Sequence, residues 1–225
     1  MATPEQHAAG TAEPVTPPGL QVRQVLDTDG DAVLFTASGE DPAVIGLWLW
    51  RPAGLTPLTT INGLGSGRRA GRSTLIATQG LDRTGTSVTV RRSSDPDGPG
   101  IPIASLAEAP SLPEPRPRLS YGGPRRIRTA IVLPSWHTPG SARLPVLCDP
   151  YGGPHGQRAQ AARSAFWTPQ WLADQGFAVV IADGRSTPGR GPEWDRTVAP
   201  SATWACPRSI PRSTSSPRCW PTRPG

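Results

Sequence analysis

The most informative part of the sequence is Leu144–Pro192, LPVLCDPYGGPHGQRAQAARSAFWTPQWLADQGFAVVIADGRSTPGRGP. Its first apolar run, LPVLCD, predicts a short buried strand, and FAVVIAD predicts a second one. Between these runs Thr168 is suited to cap a helix, Pro169 to occupy its first position, and Gly176 to end it in a left-handed conformation. Two buried strands separated by a helix predict a parallel pair with a right-handed crossover.

The loops that follow the two strands, residues 150–156 and 184–191, are expected at one edge of the sheet, where open α/β sheets bind their ligands. The first loop lies in DPYGGPHGQ and the second in ADGRSTPGRGPEW. With these motifs the chain resembles the prolyl oligopeptidase family of serine peptidases, most closely its dipeptidyl-peptidase IV-like branch. The resemblance covers residues 19–198 and is strongest over residues 144–194.

The resemblance implies an α/β-hydrolase domain preceded by a β-propeller, of which this chain holds only parts. We therefore expect a disordered start (1–18), terminal β-propeller blades (19–107), a linker (108–118), the N-terminal part of an α/β-hydrolase peptidase domain (119–198) and an aberrant disordered tail (199–225).

Short apolar runs separated by turn residues precede the linker, a pattern typical of a propeller blade. The predicted strands are LQVRQVLD, AVLFTAS, GLWLWRP and LTPLTT, then STLIATQ, SVTVRR and GIPIASL. From the residues alone, a small independent β-sandwich is the alternative interpretation, and the propeller interpretation depends on the family resemblance. The linker itself holds EAPSLPEPRP, whose prolines predict an extended segment.

The tail, residues 199–225, contains no Asp or Glu and shows neither helical nor strand periodicity. A solvated arginine-rich tail is one interpretation. A shifted reading frame is the other, because codon degeneracy permits residues 201–225 to be read as GDLGVPALDPEVDLLAALLADPPG. The nucleotide sequence decides between the two.

The catalytic serine of an α/β-hydrolase lies in G-x-S-x-G, followed along the chain by Asp and His. No serine here has that context. Ser66 lacks the first glycine, whereas Ser73 and Ser186 lack the second. Ser186 lies at the predicted sheet edge but occupies a position that is usually glycine in the resembling family. We expect no nucleophile, acid or base of a catalytic triad in this chain.

The three histidines do not supply a catalytic base either. His7 falls in the predicted disordered start, and His137 in a surface loop. His155 precedes every plausible nucleophile, which is the wrong chain order for this fold. We expect His155 to be a loop residue near the site.

The resemblance assigns one chemical role to this chain. In the family, the tyrosine of the YGGP-type loop donates its hydroxyl to the oxyanion, which carries over to Tyr151. A turn aromatic that packs on Trp167 is the alternative. Gly152, Gly153, Asp183 and Arg185 are expected to support the loops, by backbone freedom, an ion pair or N–H acceptance.

Composition limits the remaining functions. The chain of 225 residues has a formal net charge of +6, and its 23 basic residues are all arginine. The arginines are scattered without interleaved aromatics, so nucleic-acid binding is not expected. The three cysteines show no metal or disulfide pattern, no apolar run has transmembrane length, and no signal peptide is visible. We expect a cytoplasmic protein without metal or cofactor.

The predicted function is therefore that of a serine-type peptidase acting on short peptides, represented here by an inactive part that lacks the Ser-Asp-His triad. Two alternatives remain: a non-catalytic β-rich binding module, and the remnant of an α/β-hydrolase esterase. The sequence indicates neither the substrate-binding residues nor the oligomeric state.

Overall fold

Twelve strands in three four-stranded sheets make up most of the regular structure of the described residues. The computed structural model describes residues 13–60, 62–92, 98, 100–108 and 111–198. Most of the predicted disordered start (1–12) and the whole of the predicted tail (199–225) lie outside these residues. Within them, no helix is both long and apolar enough to cross a membrane.

The first sheet is an antiparallel meander in chain order, formed by β1 (Gln21–Asp29), β2 (Ala32–Ser38), β3 (Gly46–Arg51) and β4 (Gly54–Pro57). All four strands were predicted. Strand alternation explains the core, because Leu47 and Leu49 are buried while Trp48 and Trp50 lie on the other face. Leu34 and Ile76 join the same apolar cluster, so this core is shared with the next sheet.

The second sheet is also antiparallel and in chain order, formed by β5 (Gly63–Ala70), β6 (Ser73–Gly80), β7 (Ser87–Arg92) and β8 (Ile101–Ile103). Strand β5 was not predicted, because its glycines have low strand propensity. The structure explains these glycines by close backbone approach. A Cβ atom on Gly67 would lie 2.6 Å from the Leu75 carbonyl oxygen and 2.7 Å from Leu47 Cδ2.

The third sheet is mixed, with strand order β11-β12-β10-β9. Its strands are β9 (Arg118–Gly122), β10 (Ile127–Val132), β11 (Val146–Tyr151) and β12 (Ala178–Asp183). Strands β11 and β12 are parallel, as predicted, and the other neighbours are antiparallel. The short strand β9 was not predicted.

A 3-10 turn (Arg163–Phe166) and helix α1 (Trp167–Asp174) connect the parallel strands. The prediction that Thr168 caps the helix is wrong, because Phe166 occupies the N-cap position and no side chain caps it. The 3-10 turn leads directly into α1, so the helix begins without a polar cap. Gly176 follows the helix at φ 104°, as predicted. A one-turn helix, α2 (Pro192–Asp195), and a 3-10 turn (Arg196–Val198) end the described chain.

Among the described residues, the buried core of the third sheet lies on one of its faces. Ala130, Val132, Val179 and Ile181 pack there with residues such as Phe166. On the opposite face of β11, Val146 is 61% exposed and Cys148 is exposed. The prediction of a fully buried first strand with a buried Cys148 is therefore wrong. Strand β11 lies at the sheet edge, and every second side chain of it faces outward.

Polar contacts connect the third sheet to the first two. The Ala161 amide donates to the Ala43 carbonyl over 2.9 Å. In the predicted linker, the described residues before β9 contain no helix or strand. Even so, Glu114 accepts a hydrogen bond from Thr84 at 3.1 Å and pairs with Arg163 at 2.9 Å. The linker thus contacts both the second sheet and the turn before α1.

Candidate active-site edge

One row of side chains crosses the third sheet where β11 and β12 end. Tyr151 is the register partner of Asp183, Asp183 of Arg128, and Arg128 of Tyr121. Register partners on neighbouring strands project to the same face of a sheet. This row therefore brings two of the predicted site residues, Tyr151 and Asp183, together at the carboxyl edge of the parallel pair.

Two backbone hydrogen bonds join the loops after β11 and β12. The Gly184 amide donates to the Tyr151 carbonyl over 2.6 Å, and the Gly153 amide donates to the Arg185 carbonyl over 3.1 Å. Gly153 has φ 136°, a conformation that side chains disfavour. A Cβ atom on Gly184 would lie 3.1 Å from the Tyr151 carbonyl oxygen. The glycines therefore permit the close contact between the two loops.

The Tyr151 ring is half-buried beside its own loop. Cβ atoms placed on Gly153 or Gly156 would each lie 3.8 Å from Tyr151 Oη, an ordinary van der Waals distance, so the hydroxyl lies against the glycine loop. No described residue forms a hydrogen bond with this hydroxyl, and no described ring stacks on Tyr151. The one ring pair among those residues is Trp136 with His137. The hydroxyl is consequently available to donate to a ligand at the sheet edge.

Asp183 is 1% exposed and accepts two backbone hydrogen bonds from the loop after β11. The Arg158 amide donates to Oδ1 over 2.8 Å, and the Ala159 amide donates to Oδ2 over 2.9 Å. Burial raises the pKa of this carboxyl, and the two amides oppose that rise in part. The contacts are of the N–H acceptance kind that the sequence suggested for a loop-supporting residue.

Arg185 takes part in this edge through its backbone. Its carbonyl accepts the Gly153 amide, whereas its side chain is exposed and forms no ion pair with Asp183 in the described structure. Gly152 precedes Gly153 in the loop after β11 and is exposed. The structure therefore gives Arg185 a main-chain contact with the loop after β11.

Ser186 is not presented to a ligand. It is 1% exposed and its hydroxyl donates to the Asp195 carbonyl over 2.8 Å. Its φ of 64° is in the left-handed region, which explains why glycine suits the position. Ser66 lies within β5 and Ser73 begins β6, far along the chain from the carboxyl edge.

Among the described residues, no histidine forms a hydrogen bond with a serine. His155 is exposed in the loop after β11, and His137 lies in the loop after β10, at the opposite edge of the sheet. His7 lies outside the described residues. No group of three or more His, Cys, Asp or Glu residues in the described ranges could hold a metal ion.

Sequence reasoning missed Arg23, which reaches the edge from β1. Its Nη1 donates to the Pro188 carbonyl over 2.8 Å, and its Nη2 donates to Gln157 Oε1 over 2.9 Å. Arg23 thereby holds both loops of the edge. Burial lowers the pKa of its guanidinium, while Asp195 and Asp183 act in the opposite direction. No local sequence signal predicts this contact, since Pro188 lies 165 residues further along the chain.

The parallel strand pair with its connecting helix thus places the loops after β11 and β12 at one edge of the third sheet. Residues 122–201 match the family model of X-Pro dipeptidyl-peptidase (S15 family). The chain is also similar to a solved structure of Porphyromonas gingivalis dipeptidyl peptidase 4, with a TM-score of 0.68 and 23% identity.

That similarity covers 83% of this chain but only 28% of the P. gingivalis protein, so the chain spans less than a third of its length. A search of the curated proteins found no match. The family match and the shared fold support the resemblance to dipeptidyl-peptidase IV-like peptidases that the loop motifs indicated. The similarity includes the antiparallel β-rich region before the third sheet.

Proposed function

We propose that this chain is part of a serine-type peptidase of the dipeptidyl-peptidase type, and that it carries the oxyanion-binding portion of the active site. The observation that carries the proposal is the Tyr151 hydroxyl, which lies beside a glycine loop at the carboxyl edge without a described partner. Peptides, whose scissile carbonyl develops negative charge during acyl transfer, are the proposed substrates.

In this proposal each residue of the edge has a distinct part. Tyr151 donates a hydrogen bond to the developing oxyanion, which stabilises the transition state more than the ground state. Asp183 holds the Arg158 and Ala159 amides and so fixes the course of the glycine loop. Gly152 and Gly153 let the substrate approach, and Arg185 anchors the loop through its carbonyl.

The reaction also needs a nucleophile and a base, and no serine of these 225 residues lies in G-x-S-x-G. We propose that the chain alone does not hydrolyse peptides. We further propose that residues 119–198 form the N-terminal part of an α/β-hydrolase domain and residues 19–107 the last blades of a propeller. The exposed thiol of Cys148 fits a reducing compartment such as the cytoplasm.

Protection of Tyr151 from chemical acetylation tests the peptide site. The chain has two tyrosines, so Tyr121→Phe leaves Tyr151 as the only phenol. We expect N-acetylimidazole to acetylate Tyr151 and a millimolar Xaa-Pro dipeptide to slow that acetylation several-fold. An Xaa-Ala dipeptide is the matched control for proline preference. Equal acetylation rates with and without every peptide would contradict the proposal.

A second candidate function rests on the first two sheets. They share one apolar core and line an open cleft of about 280 Å³ between β1, β2, β5 and β6. Such a pair of sheets favours a β-rich binding module in which the third sheet takes no part in catalysis. In that case a ligand would bind to the chain without altering the acetylation of Tyr151.

A further inference from the structure

A second cavity lies at the opposite edge of the third sheet from Tyr151. It has a volume of about 420 Å³ and is formed by the segment before β9, the end of β10 and the loop that follows. Because β10 is antiparallel to β12, the end of β10 lies beside the start of β12, where Val132 pairs with Val179. The cavity is therefore separate from the candidate active-site edge.

Two arginines line this cavity without a described ion-pair or hydrogen-bond partner, namely Arg116 and Arg118. Arg118 begins β9 and pairs in register with Ile131, another lining residue. Extended chain places residues two apart on the same side, about 6–7 Å from each other. Arg116 and Arg118 can therefore bind one group together, and planar guanidinium forks match the geometry of a carboxylate.

The acidic groups around the cavity are already engaged. Glu114 lines it, but accepts from Thr84 and pairs with Arg163 at 2.9 Å. Asp174, below the cavity on α1, accepts the Ser135 amide over 2.6 Å and Gln170 Nε2 over 3.1 Å. Neither carboxylate forms an ion pair with Arg116 or Arg118 in the described structure.

The rest of the lining is largely apolar. Besides the arginines and Glu114, the wall contains Pro113, Ile131, Leu133, Pro134, Pro139 and the polar residues Ser135, His137 and Gln170. A cavity of this volume, whose wall is polar and apolar in about equal parts, suits a small organic molecule that has both a charged and an apolar end.

From this arrangement we propose that the cavity between β9, the end of β10 and the following loop binds a small organic carboxylate with an apolar body. The carboxylate contacts Arg116 and Arg118, and the apolar body packs against Ile131, Leu133 and the prolines. The proposal does not depend on the peptidase assignment, because the cavity and the Tyr151 edge are distinct.

Calorimetric titration of the full 225-residue chain with 4-phenylbutyrate tests the proposal, with its neutral amide as the matched ligand. We expect the acid to bind at least tenfold more tightly than the amide. Arg116→Gln and Arg118→Gln should each weaken the acid about tenfold, as loss of a charge-assisted contact does. Both side chains are exposed, so the variants should keep the fold, which circular dichroism verifies.

Arg51→Gln, at an exposed arginine of the first sheet, is the control and should leave the affinity unchanged. Equal affinity for acid and amide, unaltered binding by the Arg118→Gln variant, or no heat at millimolar ligand would each overturn the proposal. Charge reversal by Arg118→Glu gives a second measure, and it should abolish binding of the acid while sparing that of the amide.

Discussion

At Asp183, burial and hydrogen bonding act on one carboxyl in opposite directions. Burial favours the protonated form, whereas the Arg158 and Ala159 amides favour the carboxylate, and burial has the larger effect on the pKa. The same residue that orders the glycine loop is thus held in a form that is costly to ionise. This balance makes Asp183 sensitive to pH.

We predict that Asp183 titrates above 3.8, the ordinary value of an aspartate. A raised folded-state pKa means that the folded chain binds the proton more tightly than the unfolded chain. The contribution of Asp183 to stability should therefore be greatest at low pH and fall as pH rises through its folded pKa. The amide proton shifts of Arg158 and Ala159 report this titration by NMR. A midpoint below 3.8 would contradict the prediction.

Ser186 combines an unfavourable backbone conformation with a favourable hydrogen bond. Its left-handed φ costs about 1–2 kcal/mol for a residue with a side chain, and the bond to the Asp195 carbonyl contributes about 1 kcal/mol. Because glycine removes both terms, Ser186→Gly should change the free energy of unfolding by less than about 1 kcal/mol.

Ser186→Ala loses the bond as Ser186→Gly does but keeps the unfavourable φ, so it should be less stable than Ser186→Gly by about 1–2 kcal/mol. Urea unfolding curves, monitored by tryptophan fluorescence, give the free energies of unfolding of the two variants for comparison. The reverse order of stability would show that the conformation of Ser186 is not the one described.

At the scale of elements, strands with many apolar side chains could be predicted from the sequence, whereas glycine-rich or very short strands could not. The strands rich in Val, Ile, Leu and Trp were predicted, including β2, β3 and β12, since periodicity reveals a half-buried strand. Strand β5 was not predicted because Gly63, Gly65 and Gly67 give no apolar pattern. Their small size is required because strand β6 of the same sheet and residues of the first sheet approach them closely. The short β9 offered too few residues for a pattern.

The environment of Cys148 could not be predicted from its own strand. The run LPVLCD reads as buried, yet burial depends on what covers each face of the sheet, and α1 covers only one. Sequence reasoning identified the parallel pair, and hence that the loops after β11 and β12 lie at one edge. Whether β11 lies at the centre or the margin of its sheet is a property of the assembled strands.

Thiol labelling tests the exposed face of β11. In a Cys206→Ser, Cys219→Ser background, Cys148 is the only thiol, and we expect a maleimide to modify it in the folded chain at nearly the rate of a small free thiol. Ala130→Cys with Cys148→Ser is the control, because Ala130 is fully buried and should react slowly. Slow modification of Cys148 would mean that this face is covered in solution.

At the scale of the whole molecule, the first sheet and the third sheet are joined by charged contacts between residues far apart in sequence. Arg128, 6% exposed, pairs with Asp41 at 2.6 Å, and Arg23 holds the two loops of the edge. Asp41 also receives a 3.5 Å contact from the Tyr121 hydroxyl. These contacts place the β-rich region directly beside the proposed active-site edge.

Contacts of this kind, between residues far apart in the chain, could not be predicted from the sequence. The loop motifs led to the peptidase resemblance, which the family match and the fold support. Nothing local indicated that Arg23 and Asp41 would contact the third sheet, because each pairing depends on how separate sheets pack. The oxyanion role of Tyr151 remains a prediction.

We infer that these 225 residues hold the oxyanion-binding portion of a peptidase site and no nucleophile. Release of p-nitroaniline from glycyl-proline p-nitroanilide by the purified chain, with and without a fluorophosphonate serine reagent, tests this inference. We predict no release above the buffer blank and no covalent labelling of any serine. A measurable rate that the fluorophosphonate abolishes would contradict it.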